Sequence, residues 1–318
     1  MGRDQRDAAT LMDAAAAGDR RAVARLLSMV ERGGDDARAA GALAHDRSGG
    51  AYTVGVTGAP GAGKSTLTSA IVGEVRERGE RVSVLAIDPS SPFTGGAILG
   101  DRIRMQDHSL DEGVFIRSMA TRGHLGGLAL ATPQAVRVLD AAGFPWVLVE
   151  TVGVGQVEVE IVGAADTTVV VVNPGWGDAI QANKAGLMEI ADLFVINKAD
   201  RPGAAETRRD LEGMLDLTDP GPGGWRPPVL AAVATEGTGV AELWDQVQAH
   251  RAHLEVTGEL GVRRGRRARE ELTRIVAERL LARARQASEG DRFDALLDEV
   301  ERRGTHPWAA ADELLGPD

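Results

Sequence analysis

Tyr52-Thr53-Val54-Gly55-Val56-Thr57, followed by Gly58-Ala59-Pro60-Gly61-Ala62-Gly63-Lys64-Ser65 and Thr66, decides how the rest of the chain is read. A β-rich run leads into a loop that matches the phosphate-binding pattern at every defining position, and a helix-compatible segment follows. Its glycines permit torsions that turn backbone amides inward, and the helix N-terminus behind them favours negative charge. Gly61, Ala62, Gly63, Lys64, Ser65 and Thr66 are therefore expected to hold the phosphates of a nucleotide. Lys64 would neutralise the β- and γ-phosphates, and the Ser65 hydroxyl would ligate Mg²⁺. Ala59 stands where the deviant loops of partitioning ATPases carry lysine, which disfavours that subclass.

Outward from this loop, apolar runs rich in valine and isoleucine recur at Val82–Ile87, Val114–Ile116, Trp146–Val149, Thr167–Val172, Leu193–Ile196 and Val229–Val233. Most are separated by helix-length segments. Continuous apolar strands belong to a parallel sheet buried on both faces. Residues 51–257 are expected to form one doubly wound, mostly parallel α/β domain of the P-loop NTPase class, with ligands at the carboxyl ends of its strands.

Residues 1–50 read as an N-terminal helical extension, because Val23, Leu26, Leu27 and Val30 recur at helical spacing. The stretch from Gly33 to Gly50 reads as a connection. Residues 258–318 turn to Arg, Glu, Leu and Ala, with Leu272, Ile275, Val276 and Leu280 on one helical face and Phe293, Leu296, Leu297 and Val300 on another. Such faces close back on the core or pair with a second copy, and pairing in a homodimer is the favoured expectation.

Composition narrows the function classes. The 318 residues are 43% hydrophobic and contain no run near the roughly 18 apolar residues of a membrane span. The charged start, Met1 to Asp7, lacks a secretory layout and points to the cytoplasm. Zero cysteines exclude disulfides and thiolate metal sites. A net charge of −11 argues against general nucleic-acid binding. The arginines from Arg263 to Arg269 are a local exception, read as a solvated helix start. Six histidines (His45, His108, His124, His250, His253 and His306) make no metal-ligating cluster, and His250 and His253 read as surface residues.

Asn197-Lys198-Ala199-Asp200 follows an apolar strand about 130 residues after the phosphate loop and resembles the guanine-specificity motif of GTPases. A carboxylate at Asp200 can accept from guanine N1–H and the exocyclic amine, a pairing adenine does not offer. Val233-Ala234-Thr235 lies where a supporting loop belongs, so the Ala234 amide is expected at guanine O6. Glu150-Thr151-Val152-Gly153 takes the place of the usual DxxG motif, with Glu150 toward Mg²⁺ and the Gly153 amide toward the γ-phosphate. Asp88 and Asp101 are further acids for the metal. Mg²⁺ keeps several waters, so not all three carboxylates should touch it at once.

Taken together, these residues resemble the methylmalonyl-CoA mutase-associated GTPases, the MeaB and ArgK group of SIMIBI-class P-loop proteins, over nearly the whole chain. The distinctive stretches are Asp88-Pro89-Ser90-Ser91-Pro92, Gly100-Asp101-Arg102-Ile103-Arg104-Met105, Arg122-Gly123-His124-Leu125-Gly126-Gly127 and Glu150-Thr151-Val152-Gly153-Val154-Gly155-Gln156. Gly177-Asp178, Gln181, Lys184-Ala185-Gly186 and Glu189 add to them. The resemblance implies Mg²⁺-dependent hydrolysis of GTP to GDP, a C-terminal dimerisation arm, and a chaperone role gating adenosylcobalamin loading onto an acyl-CoA mutase. It implies that the segment from Gly177 to Glu189 is an extra switch, in which Asp178, Gln181 and Lys184 face partner or nucleotide. Gln156 is the nearest candidate for orienting the attacking water, and Val157 follows it where serine is expected. The alternative is a metallochaperone GTPase of the nickel-insertion type, which generally carries histidine or cysteine clusters; a transport-associated kinase is a third reading.

Overall fold

The computed structural model describes residues 3–89, 108, 110–121, 125–151, 165–175, 190–217, 221 and 223–316. Two compact units divide the chain, Met1–Gly265 and Arg266–Asp318.

The first unit is built on a seven-stranded sheet in the order β3-β2-β4-β1-β5-β6-β7. Its strands are β1 (Tyr52–Gly58), β2 (Val82–Pro89), β3 (Val114–Thr121), β4 (Trp146–Thr151), β5 (Thr167–Val172), β6 (Leu193–Asn197) and β7 (Val229–Ala232). Every pairing is parallel. Each apolar run in the sequence thus becomes a strand, and β3 continues five residues past Ile116. The order reverses around β1, which places the phosphate loop at the crevice where doubly wound sheets take ligands.

Three N-terminal helices come first: α1 (Arg3–Ala16), α2 (Arg20–Arg32) and α3 (Gly34–Arg47). Asp19 caps α2 by accepting from the amides of Arg21 and Ala22, and Val23, Leu26, Leu27 and Val30 are buried as their spacing predicts. The stretch read as a connection is largely helix α3, which packs through the small residues Ala37, Ala39, Ala40 and Ala44. Alanine and glycine give a weak apolar stripe, so periodicity alone does not reveal this helix.

Helices α4 (Lys64–Glu77), α5 (Leu125–Ala141), α6 (Ala204–Leu215) and α7 (Val240–Thr257) complete the layers. Alternate strand residues serve opposite faces. Val54, Val56, Val82, Val84, Leu148, Val169 and Val171 meet α4 and α7, with Trp244 of α7 set edge-on to Trp146. Leu85, Ile87, Phe115, Met119, Val147 and Val149 share a cluster with α1, α2, α3 and α5. The N-terminal helices therefore belong to the core of this unit.

Helix α8 (Glu259–Ala287) begins in the first unit, and α9 (Asp291–Glu301) and α10 (Pro307–Leu315) lie in the second. Leu272, Val276 and Leu280 on α8, Leu297 on α9 and Trp308 on α10 are exposed.

Candidate functional site

The phosphate loop begins at the end of β1, where the backbone runs against β5. Gly58 has φ +137°, and a Cβ there would lie 2.0 Å from the Val171 carbonyl oxygen. Gly63 has φ +90°, and a Cβ there would lie 2.4 Å from Asn197 Nδ2. Both positions need glycine for torsion and for space. Lys64 opens α4 directly after Gly63, so the loop leads into the positive end of a helix dipole.

Lys64 and Ser65 are buried, at 6% and 7% exposure. The Lys64 ammonium donates to the Gly58 carbonyl at 2.6 Å and the Ala59 carbonyl at 3.1 Å, which holds it over the loop. The Ser65 hydroxyl donates to Glu150 Oε1 at 2.6 Å, and Glu150, on the last turn of pleat in β4, is fully buried. The longer glutamate thus reaches the Ser65 hydroxyl, the position expected to ligate Mg²⁺. A hydroxyl and a carboxylate beside the phosphate loop are the hard oxygen donors Mg²⁺ takes. Asp88 sits at the end of neighbouring β2, where Ala86 and Ile87 pair with Glu150 and Thr151. Asp101, Gly153, Gln156, Asp178, Gln181 and Lys184 lie outside the described residues.

The Asn197-Lys198-Ala199-Asp200 segment is joined to this loop. Asn197 ends β6 and donates through Nδ2 to the carbonyls of Ala62 at 2.9 Å and Gly63 at 3.4 Å. Its Oδ1 accepts from the Ala234 amide at 3.2 Å. Lys198, in the left-handed region at φ +59°, extends its ammonium to the Gly61 carbonyl at 2.6 Å. Asp200 stands exposed beyond them. One side chain therefore ties together the phosphate loop, the β6 end and the loop after β7. The Ala234 amide gives its hydrogen to Asn197 here, so a bond to guanine O6 requires that hydrogen to be shared or redirected.

Sequence reasoning missed one contact in this layer. Thr151, the last residue of β4, donates to Thr57, the last residue before the loop, at 3.4 Å, and both are fully buried. A threonine at each of two adjacent strand ends, where valine fills most neighbouring positions, was the available signal.

The amino end of the sheet carries a different polar cluster. Arg263 donates to both oxygens of Asp192 at 2.9 and 3.0 Å, and Arg264 to both oxygens of Asp166 at 3.1 and 2.7 Å. The Thr53 amide donates to Asp166 and the Thr168 amide to Asp192. His250 is fully buried, with Nδ1 2.8 Å from the Thr167 hydroxyl and Nε2 3.3 Å from Asp192. Burial, with the positive charge of Arg263 and the His253 ring nearby, pushes its imidazole down to about 3. Burial pushes the Asp192 carboxyl up, against the pull of Arg263. These positions correct two expectations. Arg263 and Arg264 clamp the start of α8 to the sheet instead of lying solvated, and His250 is a neutral core residue instead of a surface one. Among the described residues, no group of three or more His, Cys, Asp or Glu is placed to hold a metal ion.

Comparison with known proteins agrees with this geometry. A Pyrococcus abyssi relative is 52% identical over 300 residues, covering 94% of this chain and 93% of its own. The GTPase ArgK of Escherichia coli is 39% identical over 243 residues, 76% of this chain and 73% of its own. A crystal structure described as LAO/AO transport system kinase superposes with a TM-score of 0.73 at 27% identity, covering 99% of this chain and 97% of that one. Residues 23–289 match the family described as methylmalonyl Co-A mutase-associated GTPase MeaB. With its phosphate loop tied to Asn197 and Lys198, the chain is a GTPase and belongs to that family.

Proposed function

We propose that this GTPase is a Mg²⁺-dependent cytoplasmic chaperone that gates adenosylcobalamin loading onto an acyl-CoA mutase, and protects that enzyme. The observation that carries the nucleotide half is Asn197, bonded at once to Ala62, Gly63 and Ala234. Through it, base recognition and phosphate binding share one rigid layer. The family's printed description supports the mutase half.

In this reading Lys64 leaves the Gly58 and Ala59 carbonyls in part to neutralise the β- and γ-phosphates, and the loop amides hold the same oxygens. Asp200 accepts from the guanine edge. Ser65 and Glu150 would hold Mg²⁺, with Asp88 and Asp101 completing its surroundings, and the ion would neutralise charge between the phosphates. Gly153 would meet the γ-phosphate. Gln156, Asp178, Gln181 and Lys184 would relay nucleotide state to the partner. The exposed Leu272, Val276, Leu280, Leu297 and Trp308 support a homodimer formed through residues 258–318.

Calorimetric titration with GDP and ATP in the presence of Mg²⁺ tests the base of the proposal. Wild type should bind GDP and not ATP, and Asp200→Ala should abolish that preference, a loss on the order of 10⁴-fold for a site built to hydrogen-bond its ligand. Equal binding of ATP by the wild type would refute it. A purified acyl-CoA mutase whose uptake of adenosylcobalamin ignores this protein and GTP would refute the chaperone half alone.

A further inference from the structure

The loop after β7 closes on itself over a short span. The Val233 amide donates to the Thr238 carbonyl at 3.0 Å, and the Glu236 amide to the Val233 carbonyl at 2.9 Å. Residues 235–238 are exposed, whereas Ala234 is buried and donates to Asn197 Oδ1. Ala232, the last residue of β7, accepts from the Ala199 amide at 3.1 Å. The segment from Asn197 to Asp200 and the loop from Val233 to Thr238 are thus bonded to each other at the end of β7.

Gly239 is where this loop ends and α7 begins. It has φ +77°, and a Cβ there would lie 2.1 Å from the Ala231 carbonyl oxygen and 3.2 Å from the Ala232 Cα. Carbon and oxygen in close contact sit about 3.3–3.6 Å apart, so a methyl group at this position would push the start of α7 off β7 by about 1 Å. Neither flank yields easily. Val240, Leu243 and Trp244 bury the start of α7 in the core, and Ala231 is paired with Ile196 of β6. Close-packed elements pass such a displacement on to what is less constrained, here residues 233–238. Ala234 lies among them, so the bare Cα of Gly239 sets how the Ala234 amide stands to Asn197. Gly237 makes the contrast. It has φ +74°, but a Cβ there would meet nothing within 4 Å. Torsion alone asks for glycine at 237, and torsion with close approach asks for it at 239.

We infer that Gly239 is a specificity-determining positioning residue for the base. By letting α7 rest directly on β7, it places the Ala234 amide to read the 6-oxo group of guanine, and it touches no part of the nucleotide itself. The inference rests on the guanine reading above and adds to it the residue that sets the half of base recognition not carried by Asp200.

The test uses the full chain as wild type, Gly239→Ala and Gly237→Ala, titrated calorimetrically with GDP, IDP, 6-thio-GDP and ATP in the presence of Mg²⁺. IDP lacks the exocyclic amine assigned to Asp200. 6-Thio-GDP keeps that amine and N1–H but carries a weaker acceptor at position 6. Wild type should bind 6-thio-GDP about tenfold less tightly than GDP, near the upper size of one ordinary hydrogen bond. In Gly239→Ala, GDP itself should weaken by about that factor, so that GDP and 6-thio-GDP bind within about twofold of each other. IDP should stay weaker than GDP by the wild-type factor. Gly237→Ala should keep every wild-type ratio, which separates displacement of the loop from torsional strain within it. A merely structural role would weaken all ligands alike and leave the ratios unchanged. That result in Gly239→Ala, a loss of the preference over IDP as well, or the same pattern in Gly237→Ala would each overturn the inference. Should Gly239→Ala fail to fold, Val233→Pro, which removes the amide bonded to the Thr238 carbonyl and so frees the loop from Gly239, decides it on the same ratios. Wild type that binds ATP as well as GDP would sink the guanine reading and this inference together, whereas a wild type that prefers GDP to ATP but not to 6-thio-GDP sinks the inference alone.

Discussion

The two ends of one sheet use polar side chains in opposite ways. At the carboxyl end, Lys64, Lys198 and Asn197 bond to backbone carbonyls of a glycine-rich loop. These contacts hold two ammonium groups and one neutral amide on carbonyls, and under the proposed function the Lys64 ammonium would exchange its carbonyls for phosphate oxygens. At the amino end, Arg264 is paired bidentately with Asp166, Arg263 reaches both oxygens of Asp192 through Nη1, and strand amides occupy the same carboxylates. Such a network is complete without a ligand. It fixes where α8 starts against β5 and β6, and buried pairs of this kind are better attested as devices for register than as net sources of stability. One end is arranged to exchange partners and the other to keep them.

If that contrast holds, activity and stability should separate by end. The largest effect is expected from Lys64→Ala. Loss of a preorganised cation at developing phosphate charge should cut GTP hydrolysis by roughly 100- to 1000-fold. Its unfolding free energy should fall by less than that of any amino-end charge deletion. Phosphate release and urea denaturation on the same samples check both halves. A Lys64→Ala protein that unfolds early while its folded fraction stays active would reverse the contrast.

At the amino end, Arg263→Met should lower stability by roughly 3 kcal/mol, because it strands a buried carboxylate. Adding Asp192→Asn should recover part of the loss, since an amide oxygen can still accept from Thr168 without bringing a charge. Denaturant midpoints of the two variants measure it, and a double variant weaker than the single would show that the carboxylate has another use.

His250 gives a pH-dependent prediction of the next size. Its imidazole lies at about 3 in the folded chain and near 6.5 when unfolded, so between these values the unfolded state binds more protons. Its contribution is therefore full above about pH 6.5 and is lost progressively as pH falls toward 3. Between about pH 7.5 and pH 5, wild type should lose roughly 2 kcal/mol more than His250→Gln. Parallel pH profiles for the two proteins would show that the histidine is protonated inside the fold.

The same contrast explains what could be read in the sequence. Gly58, Gly61, Gly63, Lys64 and Ser65 are legible because backbone torsion and phosphate chemistry restrict residue type over a few consecutive positions. Asn197 to Asp200 is legible for a related reason, as a local motif at a strand end. The Asp192–Arg263 and Asp166–Arg264 pairs join residues 71 and 98 positions apart, and neither partner's neighbours betray the other. The arginine run therefore reads as solvated, and His250 reads as a surface residue like half-buried His253 on the same helix. Helix α3 stayed hidden because its buried face is alanine. Thr57 and Thr151 each stand beside a motif, but only the β1–β4 pairing makes them a pair.

The smallest effect expected is the one that asks most of the comparison. Arg263→Met, assayed where it is fully folded, should bind GDP within about twofold of wild type. Asp192 precedes β6 and Asn197 ends it, so five residues at about 3.3 Å each set the clamp roughly 16 Å from the guanine motif. Changes separated by more than about 10 Å without shared partners usually add independently. Solvent ions screen charge over a similar length, so the lost arginine should not be felt electrostatically. The direct connection along the sheet is the backbone of β5 and β6, which is paired on both sides by parallel strands and has little freedom to slide. A tenfold change in GDP affinity would mean that β6 moves as a rod between clamp and base. The start of α8 would then report on the nucleotide, and by reciprocity the nucleotide would act on α8.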